Sequence, residues 1–279
     1  MLDVAGYLRR ISYSGPVRPD AATLTALHRA HLAAVPYENL DIQLGRPPTL
    51  SPEALYDKIV CRGRGGFCFE LNGAFGLLLT ALGFEVRHVE GAVHRRRHGE
   101  AAWGNHLALL VRTDRGTMVA DVGLGDGFLA PLPLEIGTYR QGPLTYHLRR
   151  ELSDVWRMVH HPDGNCEGFE FRTARRALPD FAARCTRLGT DPDSPFVRAL
   201  VVQQARPDHS LTLRARSLSR RGPTVREERE IADQADFEDV LAGEFGVPVA
   251  TLDAASRDRL WHNAREQHVG WLAREAGRP

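Results

Sequence analysis

The chain of 279 residues has almost no lysine and almost no net charge. Lys58 is its single lysine, and its formal net charge is +1. This balance provides no surface-wide field that would attract nucleic acid or an anionic membrane. The sequence has no apolar run near the ~18 residues that predict a membrane span, and its first residues do not follow the basic-then-apolar layout of a secretory signal. We therefore expect a cytoplasmic protein without a nucleic-acid or membrane partner.

Cysteine is also scarce, and its spacing matches no metal or disulfide-exchange motif. The four cysteines are Cys61, Cys68, Cys166 and Cys185. None of them forms a C-x-x-C pair, so the pattern gives no support to a zinc ribbon or a thioredoxin-type motif. We expect free thiols in a reducing compartment and no metal site.

The period of the apolar pattern changes along the chain. Helical spacing extends to Gly83, with helices expected at residues 3–11, after Asp20 and after Ser51. From residue 84 the pattern alternates, and short strands continue to about residue 171, which predicts an antiparallel sheet or small barrel. The last third is mixed, with a strand at 209–217 and helices at 237–245 and 253–274.

Two segments are expected to lack regular helices. Residues 36–42 are predicted to form a loop that enters an extended segment, because Pro36 ends the preceding helical pattern. Residues 94–100, which carry a run of arginines between two predicted strands, are predicted to form a solvated loop.

The stretch RGGFCFELN, at residues 64–72, has the features of a reactive-cysteine site. Two glycines permit a tight turn, and an apolar run with helical spacing follows. Cys68 therefore falls at or just before a helix N-terminus, where free amides and the helix dipole favour thiolate. Arg62 and Arg64 add positive charge nearby. Cys68 is either a nucleophile or a buried cysteine that opens a core helix.

A thiol nucleophile needs a base and a third group that orients the base. His106 opens the predicted strand 106–112, and Asp121 closes the next one across a turn at 114–116. Counting back from that turn places Asp121 close to His106. With Cys68, these residues give a papain-like order of cysteine, histidine and aspartate. His106 also fits a structural strand-end histidine, and Asp121 a carboxylate that caps a turn.

At these residues the sequence resembles the arylamine N-acetyltransferase family. Four motifs match in order: VPYENLD at 35–41, RGGFCFELN at 64–72, NHLALLV at 105–111 and DVGLG at 121–125. The resemblance covers about residues 1–135 and is weaker beyond them. Many members carry aromatic residues shortly before a Ser-Pro-Phe sequence, and residues 183–190 of this chain have none.

The resemblance implies an α+β fold with a papain-like cysteine-triad core. Residues 1–83 would form an N-terminal helical bundle, residues 84–190 a central antiparallel β-barrel, and residues 191–279 a C-terminal α/β lid. It also implies a ping-pong acyltransferase that moves an acetyl group from acetyl-CoA to an arylamine, arylhydrazine or arylhydroxylamine, without a metal.

The resemblance further implies roles for individual residues. Cys68 would be the acyl-accepting nucleophile, His106 its base and Asp121 the group that orients His106. Three glycines would lie near the pyrophosphate of the cofactor, although turn formation explains them equally well: Gly123, Gly125 and Gly127. Three aromatic residues would contact the substrate: Tyr37, Phe67 and Phe128.

Three other functions remain open from the sequence. Related amide synthases use the same triad on an acyl thioester that is held by an acyl carrier protein, and they join it to an aromatic amine. A papain-like or transglutaminase-like hydrolase uses the same residues, and a non-catalytic binding module would leave Cys68 unreactive. The sequence also leaves open the natural amine, the acyl chain length, the oligomeric state and the role of Cys61.

Overall fold

Helices dominate the first part of the chain and strands its middle, as the change of period predicts. The computed structural model describes residues 2–276. The α-helices are α1 (Val4–Arg10), α2 (Ala21–Ala34), α3 (Leu40–Gln43), α4 (Pro52–Tyr56), α5 (Cys68–Ala81), α6 (Arg95–His98), α7 (Ala182–Thr190), α8 (Pro195–Arg198), α9 (Gln234–Asp239) and α10 (Ala254–Ala276). The strands are β1 (Tyr37–Glu38), β2 (Glu85–Val93), β3 (His106–Thr113), β4 (Gly116–Ala120), β5 (Leu132–Pro133), β6 (Gly137–Gln141), β7 (Leu144–Arg150), β8 (Val155–Val159), β9 (Gly168–Arg176), β10 (Val201–Ala205), β11 (Ser210–Arg214), β12 (Ser217–Arg221) and β13 (Arg226–Glu230).

The strands form two antiparallel sheets. The larger has the order β5-β4-β3-β2-β9-β8-β7-β6, and the smaller has the order β1-β10-β11-β12-β13. Side chains bridge the two edges of the larger sheet. Gln141 Nε2 donates a hydrogen bond to the Ala130 carbonyl at 2.8 Å, and the Tyr139 hydroxyl donates one to the Pro133 carbonyl at 3.4 Å. The sheet is thus nearly closed, and the predicted α+β class with a barrel-like sheet is confirmed.

The helix that carries Cys68 lies in the centre of the main core. Phe69, Phe75 and Leu78 of α5 are fully buried, and α5 packs against β2 and β3. Burial of each such side chain contributes about 1.5–3 kcal/mol. Gly83, with φ at +88°, ends the helix as predicted. The first residue of α5 is therefore held firmly against the strands that carry His106 and precede Asp121.

Both predictions of irregular segments need correction. In residues 36–42 only β1 is extended, and α3 begins at Leu40 because the Glu38 carboxylate accepts a hydrogen bond from the Leu40 amide at 2.7 Å. Residues 94–100 are exposed but contain the short helix α6, where Arg95 pairs with Glu100 at 2.7 Å and stacks on Trp103. These contacts involve side chains that apolar periodicity does not reveal.

The division into regions 1–83, 84–190 and 191–279 stays a prediction. Elements join across both of its boundaries. Strand β1 pairs with β10, and Cys185 of α7 packs in the same core as α5 and β3.

Within residues 2–276, no helix has the length and apolar character needed to cross a bilayer.

Candidate active site

Cys68 is the first residue of α5, as the sequence predicts, and it lines a cavity of about 590 Å³. Its Sγ lies 3.8 Å from the carbonyl oxygen of Asn105, the residue before His106. A backbone hydrogen bond from Leu107, the residue after His106, also lowers the pKa of the thiol. The fold therefore brings the sulfur to the start of β3, and His106 lines the same cavity.

His106 and Asp121 form a buried pair. His106 Nε2 lies 2.6 Å from Asp121 Oδ2, and neither side chain is more than 2% exposed. The β3–β4 register pairs Leu109 with Ala120, which places Asp121 opposite residue 108. Because side chains alternate along a strand, residues 106 and 108 point to the same face, and Asp121 shares that face with His106. The ring of Phe169 packs on the imidazole at a centroid distance of 4.8 Å. This pairing leaves Nδ1 of His106 as the nitrogen available to a thiol.

Asn72 fixes the other oxygen of the Asp121 carboxylate. Its Nδ2 donates to Asp121 Oδ1 at 2.7 Å and to the Leu107 carbonyl at 2.6 Å, and its Oδ1 accepts from the Val122 amide at 2.9 Å. Asn72 lies four residues after Cys68, so both side chains share a face of α5. The sequence alone assigns Asn72 no role, although its spacing from Cys68 is visible in the motif.

The positive charge predicted near Cys68 is neutralised in the fold. Arg64 is buried and pairs with Glu38 at 2.8 Å, and the exposed Arg62 pairs with Asp57 at 2.8 Å. These two arginines therefore do not provide the net positive charge near Cys68 that the sequence predicts. The local sequence hides this outcome because the partner of Arg64 lies 26 residues earlier in the chain.

Burial raises the pKa of the Cys68 thiol well above its usual value. The amides of Phe69 and Leu107 lower it and only partly oppose this effect. The prediction that the helix N-terminus favours thiolate is corrected accordingly. Reactivity at neutral pH instead requires that the proton pass to His106, whose charged form the Asp121 carboxylate stabilises.

A buried ionic cluster supports the loop before Cys68. Glu70 Oε2 accepts from the Phe67 amide at 3.1 Å, and Glu70 Oε1 pairs with Lys58 at 2.8 Å. Lys58 also contacts Asp41 at 3.2 Å, which Arg64 approaches to 3.4 Å. Removal of one partner from such a buried pair costs about 3–5 kcal/mol. The single lysine of the chain thus stabilises the turn that presents the thiol, a role that the sequence did not suggest.

Two of the residues predicted to bind the cofactor or substrate line the cavity with Cys68, namely Tyr37 and Gly123. A Cβ at Gly123 would lie 2.8 Å from Cys68 Cα and 2.6 Å from Asn72 Nδ2. Only glycine permits this close approach. Gly125 adopts φ +84° beside the side chain of Gln203 and is not part of the cavity wall.

The other predicted binding residues lie behind the cavity wall. Phe67 and Phe128 are fully buried, and Phe128 stacks on His28 at a centroid distance of 5.7 Å. Phe67 contacts Phe196 at 5.4 Å, and it is Phe196 that lines the cavity. Gly127 does not line it either. The binding roles given to these residues stay predictions.

Two segments that sequence analysis did not connect with the site form much of its outer wall. The exposed segment before β3 contributes His94 and His98, and α7 contributes Arg184 and Arg187. Helix α7 occupies the stretch that lacks the family's usual aromatic residues, so arginine side chains line this part of the wall.

Within residues 2–276, no group of three or more potential ligands could hold a metal ion.

Alkylation of Cys68 tests whether His106 takes its proton. In the His106→Gln variant, no histidine accepts the proton of the Cys68 thiol, whose pKa is raised by burial. The thiolate fraction at neutral pH therefore falls, and the pH profile of Cys68 alkylation moves to higher pH. We expect iodoacetamide to label Cys68 at least about tenfold more slowly at pH 7. Peptide mapping resolves the exposed Cys61, whose labelling rate should be equal in both proteins. An unchanged Cys68 profile would exclude His106 as its proton acceptor.

Comparisons with known proteins extend the resemblance over most of the chain. A family profile described as N-acetyltransferase matches residues 20–254. The arylamine N-acetyltransferase of Mycolicibacterium smegmatis is 34% identical over 273 residues, covering 92% of this chain and 95% of that protein. The structure of the Mycobacterium marinum arylamine N-acetyltransferase in complex with CoA is 32% identical, with a TM-score of 0.85 over 94% of this chain and 98% of that one. The Salmonella typhimurium arylamine N-acetyltransferase structure is 28% identical, with a TM-score of 0.83 over 94% and 98% of the two chains.

Proposed function

The chain belongs to the arylamine N-acetyltransferase family, and on this basis we propose that it transfers an acetyl group from acetyl-CoA to the nitrogen of an arylamine, arylhydrazine or arylhydroxylamine. The observation that carries the proposal is the His106–Asp121 pair at 2.6 Å, whose His106 lines the same cavity as Cys68. The CoA complex of the M. marinum relative supports acetyl-CoA as the donor.

In the first half-reaction, Cys68 attacks the thioester carbonyl while its proton passes to Nδ1 of His106. Asp121 orients the ring through Nε2 and stabilises the charge that forms on it. The backbone amide of Cys68 is the proposed donor to the oxyanion. The carbon–sulfur bond of the donor then breaks, His106 returns the proton to the departing CoA sulfur, and an acetyl thioester remains on Cys68.

In the second half-reaction, the acceptor nitrogen attacks the acetylated Cys68. Arylamines are weakly basic and therefore neutral at pH 7, so their lone pair is available. His106 takes the proton from the nitrogen as the new amide bond forms. It then passes the proton to the Cys68 sulfur, which leaves as a thiol. Tyr37 and Phe196, which line the cavity, are proposed to contact the aromatic ring of the acceptor.

An amide synthase that accepts its acyl group from a carrier protein finds no support in the comparisons. The relatives described above are all named for N-acetyl transfer. We propose a cytoplasmic location, because four free cysteines suit a reducing compartment.

Steady-state kinetics with acetyl-CoA and an arylamine or arylhydrazine test the proposed function. A ping-pong route predicts parallel double-reciprocal lines and one equivalent of CoA released rapidly without acceptor. Failure to acetylate any member of an arylamine and arylhydrazine panel would contradict the proposal. Peptidase or amidase turnover in the strict absence of thioesters would instead favour the hydrolase.

A further inference from the structure

A groove leads away from the Cys68 cavity along the five-stranded sheet to α10. Arg214, at the end of β11, lines the Cys68 cavity and two neighbouring cavities of about 270 and 660 Å³. Arg198, at the end of α8, and Arg274, near the end of α10, line both neighbouring cavities. We call Arg198, Arg214 and Arg274 the arginine groove. It places three guanidinium groups on one path that begins at the nucleophile.

The guanidinium groups of the arginine groove form no ion pairs with the side chains that the structure describes. In the part of the chain that the structure describes, none of the three forms an ion pair, whereas Arg221 in the same cavity pairs with Glu228 at 3.2 Å. Arg214 is exposed where it faces the cavity, and partial desolvation by the surrounding protein still lowers its pKa. A cation held this way gains from an anionic ligand, because the ligand offsets its loss of hydration.

The acidic residues of the groove do not remove this excess of positive charge. Glu228 is already held by Arg221, and Asp193 and Glu266 line the 660 Å³ cavity but not the 270 Å³ cavity. Among the side chains that the structure describes, the three arginines of the 270 Å³ cavity thus have no carboxylate partner. Planar guanidinium groups match phosphate oxygens with paired hydrogen bonds, which makes phosphate the ligand chemistry that this cavity fits.

We propose that the arginine groove binds the phosphate groups of the nucleotide half of the acetyl-CoA donor. This inference rests on the proposed function, since acetyl-CoA carries its phosphates at the end remote from the thioester. With the thioester at Cys68, the groove offers guanidinium partners to the phosphate end of the same donor. Of the glycines that sequence analysis placed at the pyrophosphate, only Gly123 lines the Cys68 cavity.

An aromatic side chain lies at the far end of the same groove. Trp271 of α10 lines the 270 Å³ cavity and is 45% exposed. Its flat face is suited to stacking against a purine. The arginine groove together with Trp271 thus offers partners for the phosphates and the base of one nucleotide.

The test compares donors with and without phosphate in Arg198→Met, Arg214→Met and Arg274→Met variants. One lost charge-assisted contact should raise KM for acetyl-CoA about tenfold relative to KM for S-acetyl-N-acetylcysteamine, a thioester without a nucleotide. The control is Arg29→Met, an exposed arginine of α2 in a separate cavity, and its KM ratio should not change. Thermal melting checks each variant for folding.

Two further probes locate the phosphate directly. Adenosine 3′,5′-bisphosphate should inhibit the wild-type enzyme competitively with acetyl-CoA, and the three arginine variants should lose this inhibition. With 3′-dephospho-acetyl-CoA, a persistent KM effect places the diphosphate in the groove, and a vanished effect places the 3′-phosphate there.

Equal KM ratios in wild type and all three variants would overturn the inference while leaving the proposed function intact. Failure of the proposed function would give a different result, because the wild-type enzyme would then acetylate no arylamine from either donor.

Discussion

The Cys68→Ser variant is expected to lose acetyl transfer by at least about 10⁴-fold in kcat/KM, because a hydroxyl in this buried position does not ionise toward His106 as a thiol does. Cys68 is only 2% exposed and serine is nearly isosteric, so the fold should be kept. CoA release in the presence of an arylamine measures the loss, and thermal melting checks the fold.

The matched control for this variant is Cys61→Ser. Cys61 is exposed and does not line the Cys68 cavity, so its replacement should leave both activity and melting temperature unchanged. If Cys68→Ser retained kcat/KM within about tenfold of wild type, covalent catalysis by Cys68 would be excluded.

The Asp121→Asn variant is expected to lose about 10³- to 10⁴-fold in kcat/KM through the wrong imidazole tautomer. Asn72 and the Gly123 amide both donate to Oδ1 of Asp121, at 2.7 and 2.8 Å. In the variant these donors would hold the amide oxygen of the asparagine, so its NH₂ group would face Nε2 of His106. That nitrogen would become the acceptor, Nδ1 would carry the proton, and the ring could no longer accept a proton from Cys68.

The fold of the Asp121→Asn variant should be preserved, because the substitution is isosteric and keeps both donors to Oδ1 satisfied. Slower iodoacetamide labelling of Cys68 at neutral pH should accompany the loss of turnover, since both depend on the same proton transfer. Turnover close to that of wild type would remove Asp121 from the catalytic group.

The part of the site that sequence analysis found depends on short-range rules. The pairing of His106 with Asp121 followed from a hairpin turn and a two-residue period, which fix cross-strand neighbours by counting. The position of Cys68 at the start of α5 followed from two glycines and helical spacing. The limits of these elements were predicted within a few residues because local pattern determines them.

The rest of the site depends on contacts between distant segments, which local pattern does not encode. The sequence predicts that Arg64 adds positive charge near Cys68, but its carboxylate partner comes from β1. Phe196 lines the cavity beside Tyr37, whereas Phe128 is buried against His28 of α2. Helix α7 lies beside the cavity with Cys185 packed into the main core, a contact between segments far apart in the chain. In each case tertiary packing selects among chemically similar side chains.

The most direct test of the account locates the acetyl group after the wild-type enzyme reacts with acetyl-CoA in the absence of an amine. Intact-mass spectrometry should show one added acetyl group, peptide mapping should place it on Cys68, and an arylamine should remove it as the N-acetyl product. Cys166 lines the same cavity and Cys61 is exposed, so both thiols are accessible alternatives. An acetyl group on either of them, or arylamine acetylation without any acetylated Cys68, would contradict the account.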